Sequence, residues 1–120
     1  MNAKQFRRFL DRDQGCIHCG ETESVAPHHR LNRGMGGSKL LDTASNIIVL
    51  CSTLNNLLET NADIAEQARV NGWKLRPGQN PKKVPVWLPR RLSWALLTND
   101  YDVIITTGKL HADNTETTTF

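Results

Sequence analysis

The spacing of apolar residues changes along this chain, and each change predicts a new element. Between residues 2 and 13, Phe6, Phe9 and Leu10 recur at i, i+3 and i+4 among arginines, a short helix with aromatic core anchors. Val25 to His29 reads as a short strand entered through Pro27, whose ring fixes its own φ. Asn46 to Cys51 encloses Ile47-Ile48-Val49-Leu50, an unbroken apolar run of strand length. The period then turns helical. Leu54, Leu57, Leu58, Asn61, Ile64, Ala65 and Ala68 mark one face of a single helix, capped by Ser52 or Thr53 and stopped by Gly72 after about Asn71. Asn55, Glu59, Asp63 and Glu66 fall along the neighbouring stripe.

Downstream, Pro77, Pro81, Pro85 and Pro89 punctuate a connector from Arg76 to Pro89, within which Val84, Val86 and Trp87 form a short extended edge. Ser93 to Thr98 and Tyr101 to Thr106 read as a β-hairpin turning at Asn99-Asp100, since both residues tolerate left-handed backbone. Trp73, Trp87 and Trp94 are expected to close the core. The polar, threonine-rich stretch from 108 to 120 reads as a disordered tail, which leaves 1–107 as one α+β domain.

Composition narrows the class. A chain of 120 residues with 38% hydrophobic content supports one domain with a modest core. No apolar run approaches the ~18 residues that span a bilayer. Met1 to Arg8 carries charge with no apolar stretch behind it, so neither a secretory signal nor a membrane role is expected, and an intracellular setting is. Three unevenly spaced cysteines make no disulfide framework. The net charge of +3 suits a polyanionic partner.

Two stretches carry chemistry. Gly15-Cys16-Ile17-His18-Cys19-Gly20 is a Cys-x-x-Cys knuckle, and Cys51 takes the first place of a second pair whose other place holds Leu54. Three thiolates leave one tetrahedral position open, which argues against a structural zinc on Cys16, Cys19 and Cys51. The second stretch is Ala26-Pro27-His28-His29-Arg30. Neighbours on a strand face opposite sides, so the two histidines must do different work. The glycine-rich loop behind them can bring its backbone close to a phosphate, with Arg30, Arg33 and Lys39 as the contacting cations.

From Cys16 to about Asn61, the order Cys-x-x-Cys, His-His-Arg, Arg-Gly-Met-Gly-Gly, Ser-Asn, Leu-Cys, with Asn55 nine residues after Asn46, resembles the HNH (His-Asn-His) nuclease motif. It looks most like the small stand-alone HNH proteins of bacteriophages. The resemblance implies a ββα-metal finger, core about 16–72, between an N-terminal helix and the C-terminal hairpin. It implies a metal-dependent DNA endonuclease in which His29 is the general base, His28 a metal ligand, and Asn46 the residue that holds the strand pair and orients the base. Asn55 stands where the family usually has its last His and is the expected second ligand, with Glu59 a further candidate one turn on. An amide oxygen favours Mg²⁺ or Mn²⁺. DNA is the implied partner, packaging proteins a further one, and the cytoplasm of a bacterial or phage-infected host the setting. Two other classes compete: an inactive HNH-fold DNA-binding or packaging accessory, and a zinc-ribbon interaction module that would require stoichiometric zinc.

Overall fold

The computed structural model describes residues 1–32 and 42–108. It is a small α+β fold with three helices and two antiparallel sheets. Helix α1 is Ala3–Asp13, strand β1 Val25–His29 and strand β2 Ile47–Cys51. Helices α2 (Ser52–Thr60) and α3 (Ala62–Val70) follow, then strands β3 (Val86–Leu88), β4 (Ser93–Leu97) and β5 (Val103–Thr106). Arg33, Lys39 and the predicted tail beyond Gly108 lie outside the described residues.

Strand β2 is the centre of the molecule. It pairs with β1 in the register Val25↔Cys51 to His29↔Ile47. Its unbroken apolar run is explained by burial on both faces. Ile48 and Leu50 join the core of Leu58, Trp73, Trp87 and Trp94, while Ile47 and Val49 pack with Phe9 of α1. The three tryptophans therefore do close the core. At the end of α1, Arg12 is buried beside Asp13 at 2.7 Å and donates to the carbonyls of Ala44 and Ile47. Asp13 in turn accepts from the Val49 amide at 2.9 Å. The helix is thus anchored to β2 by a buried ion pair rather than by aromatics alone.

Two expectations need correction. The single helix after β2 is broken at Asn61, whose backbone is extended and whose side chain accepts from the amides of Asp63 and Ile64. Asn is a strong N-cap because its amide oxygen satisfies donors that a helix start leaves orphaned, and here that preference overrides apolar spacing. Nor do Ser52 or Thr53 cap α2: Cys51 does, its Sγ accepting from the Leu54 amide at 3.4 Å. The C-terminal hairpin is present as β4–β5, but β3 pairs with β4 and makes a three-stranded sheet. Its turn runs from Thr98 to Asp102, with Tyr101 rather than Asn99 or Asp100 in the left-handed region at φ 66°. Asn99 is used differently, accepting from the Ser45 amide.

Gly72 ends α3 at φ +75°, where a Cβ would stand 2.0 Å from the Pro85 carbonyl oxygen. Only glycine allows the connector to lie so close. Among the described residues no helix is long and apolar enough to cross a membrane.

Candidate functional site

The strand pair is locked at its open end by two residues. Asn46, fully buried in a 3-10 turn, accepts from the Leu31 amide at 2.8 Å and donates to the Leu31 carbonyl at 3.2 Å. Its backbone carbonyl takes the Arg30 amide. Asn46 thus holds the residues that follow the histidines; with no exposed surface it positions and does not touch a substrate.

Arg30 departs from expectation. Its side chain is 1% exposed, and its guanidinium donates to the carbonyls of Gly72, Ser45, Pro81 and Val84 at 2.7–2.9 Å. A cation so enclosed is not a phosphate contact. Burial and the charge of Arg12 push its pKa down, but a guanidinium starts high enough to stay charged. Its role is to bind the finger to the connector.

His28 is buried at the base of a depression lined by Asn55, Glu59 and Lys74 as well as His29. Its Nε2 lies 2.8 Å from the Trp73 carbonyl oxygen, which can only accept, so Nε2 carries the proton. Nδ1 is left with the lone pair, on a ring that shares the depression with the Asn55 side chain. Burial pushes the His28 pKa down to about 4, against the opposing pull of the Trp73 carbonyl. A neutral imidazole with one nitrogen held by a backbone carbonyl is the arrangement ligating histidines use.

That shift has a pH consequence. Between about pH 6.5 and 4 the unfolded chain binds a proton at His28 that the folded chain refuses, so stability is present above this window and lost as pH falls through it. The loss should reach about 3 kcal/mol at ~1.4 kcal/mol per unit. Urea unfolding of metal-free protein at pH 7 and pH 4 should show it, with His28→Gln losing less by that amount. Equal pH dependence in the two proteins would remove His28 as the cause.

His29 is less buried than His28 and remains partly exposed, with Nε2 2.7 Å from Asp42 Oδ1. A carboxylate acceptor keeps the proton on Nε2 and leaves Nδ1 as the basic nitrogen. Across the depression, Glu59 lies 3.8 Å from Lys74 Nζ. His28, Asn55 and Glu59 offer one imidazole nitrogen, one amide oxygen and one carboxylate, a donor set suited to a hard divalent cation that keeps several waters. The expected ligands are therefore brought together. Arg33 and Lys39 lie outside the described residues, and Lys74 lines the depression together with the enclosed Arg30.

The knuckle forms a second centre. The sulfurs of Cys16, Cys19 and Cys51 lie within 4.8 Å of one another and could hold a metal ion. The knuckle is docked on β2 by the Ile17 amide, which donates to the Val49 carbonyl at 3.0 Å. Gly15, at φ +96°, leaves only 2.7 Å between a would-be Cβ and the Glu21 carbonyl oxygen, so the turn requires glycine. The expectation that the missing fourth ligand disfavours a metal here is weakened by this convergence: Leu54 removes a donor but not the gathering of the other three.

Comparison with protein-family models, curated proteins and solved structures finds no match.

Sequence reasoning missed Asp42 and Lys74. Asp42 is thirteen positions from His29 across the glycine-rich loop, and no spacing rule links them. Lys74 sits just beyond Gly72 in a segment without periodicity. The Trp73 carbonyl that fixes the His28 tautomer leaves no trace in residue identity.

Proposed function

We propose that this protein is a metal-dependent endonuclease of the HNH type, hydrolysing phosphodiester bonds in DNA, with His29 as general base. The observation that carries this reading is the division of labour between adjacent histidines. His28 is buried, neutral and shares a depression with Asn55, while His29 is partly exposed and hydrogen-bonded to a carboxylate. Such a pair separates the two tasks of phosphodiester hydrolysis, holding a cation and activating water.

In this reading His28 and Asn55 would hold one Mg²⁺ or Mn²⁺, with Glu59, now beside Lys74, as a further donor. The ion, when bound, would neutralise charge on the phosphate and its departing oxygen. His29 Nδ1 takes the proton from the attacking water, and Asp42 stabilises the imidazolium that results. Asn46 holds Leu31 and the Arg30 amide, and so fixes the strand end that carries the two histidines. Lys74, in place of Arg30, is the described cation that can meet a phosphate. For the cysteine cluster, three thiolates suit zinc rather than magnesium.

Incubation with supercoiled plasmid and Mg²⁺ or Mn²⁺ should give nicked or linear product. Plasmid binding without cleavage in any metal would instead support the accessory reading. The helix ligand is tested by three variants. Asn55→Ala should lose nicking, Asn55→Asp should retain it with Mg²⁺, and Asn55→His should extend activity toward Ni²⁺ or Zn²⁺ because imidazole favours those ions. An Asn55→Ala protein as active as wild type would show that α2 supplies no essential ligand.

A further inference from the structure

We infer that a zinc held by Cys16, Cys19 and Cys51 would keep an exchangeable fourth position, which takes one added soft donor, a thiolate or imidazole. This rests on the zinc reading of the cluster given above. The site is built rather than accidental. A Zn–S bond of about 2.3 Å places tetrahedral sulfur ligands about 3.8 Å apart, a small contraction for three atoms already within 4.8 Å. A backbone amide already meets one of the sulfurs, that of Leu54 donating to Cys51 Sγ at 3.4 Å. Amide donors of this kind stabilise thiolates at little cost because the backbone fixes them.

Nothing described on the chain completes the set. Among the described residues no histidine, aspartate or glutamate donor joins the three sulfurs. His18, within the knuckle, sets its ring edge-on to Trp73 at 6.0 Å. The Glu21 carboxylate is occupied by the amides of Thr22 and Glu23 at 3.1 and 2.9 Å. Leu54, where a closed ribbon would carry its fourth ligand, is buried in the core. Cys16 is buried while Cys19 is exposed, so a metal held by the three sulfurs would be reached from solvent past Cys19. A zinc with three thiolates and an accessible fourth site resembles an open catalytic centre more than a closed structural one. The sulfur-rich set makes it soft, which selects sulfur or imidazole nitrogen over carboxylate.

The test uses cobalt as a visible stand-in for zinc. Reduced, metal-stripped full-length protein, titrated with Co²⁺, should take up one equivalent with thiolate-to-cobalt charge-transfer and tetrahedral d–d bands. Mercaptoethanol or imidazole, added in separate arms, should shift the d–d bands saturably while the charge-transfer band is retained. The arm that saturates at lower concentration names the preferred donor. Cys19→Ser should weaken the charge-transfer band, and Leu54→Cys should supply the fourth thiolate and make the spectrum insensitive to either addition. Bands that form but do not move in wild type would overturn the exchangeable position and leave the metal centre standing. A response that persists in Leu54→Cys would also overturn this assignment. Absence of charge-transfer bands at any Co²⁺ concentration would remove the metal centre and the inference together.

Discussion

Replacing His29 with alanine is expected to slow metal-dependent plasmid nicking by about 10²–10⁴-fold, the range that general base catalysis supplies. Plasmid affinity and the urea midpoint should stay near wild type. The side chain is 18% exposed and hydrogen-bonds to Asp42, itself partly exposed, so little packing is lost. Asp42→Asn is the informative companion. An amide can donate as well as accept, so it can turn the ring and put the proton on the wrong nitrogen, and the rate should fall while metal affinity does not. Nicking by His29→Ala within tenfold of wild type would take the base role away from this residue.

The second large effect concerns folding. Arg30→Ala is expected to destabilise the protein by about 4 kcal/mol, at the upper end of single substitutions, because it leaves several buried carbonyls without donors. Arg30 reaches four carbonyls on both sides of the core, and its own carbonyl accepts the Leu75 amide at 2.7 Å. Arg30→Lys should recover only part, since an ammonium cannot span the same acceptors as a planar fork. A loss under 1 kcal/mol in urea unfolding would show that water replaces these bonds and that Arg30 is not the fastener described. Arg33 and Lys39, read alongside it as phosphate contacts, make no such prediction for stability.

What could be read from residues alone was the local pattern. Strand β1 is where Pro27 and the two histidines put it, and β2 where its aliphatic run put it, because both signals depend on near neighbours. The distribution of charge inside the fold could not be read that way. Arg12 and Arg30 look like surface cations in a basic sequence, yet both are buried, each held by acceptors more than a dozen positions away. Asn61 illustrates a different limit. Its place in an apolar helical period and its skill as a cap were both legible, and only the packing of α2 against α3 decides between them. At the candidate site, His28 and Asn55 could be anticipated as neighbours from their place on strand and helix. Asp42 could not, since a loop whose ends meet can bring any residue to the histidine.

The fastening by Arg30 bears on how such fingers can be exchanged between proteins. Three of its four carbonyl acceptors, Gly72, Pro81 and Val84, lie at or beyond the end of the finger core, as does the carbonyl that sets the His28 tautomer. A transplant cut at residue 72 would carry a buried cation and a buried imidazole into a new host without the backbone that satisfies them. The smallest portable piece must extend through the connector at least to Val84. The strand–strand–helix unit is therefore tied to an aperiodic, proline-rich stretch whose side chains look dispensable.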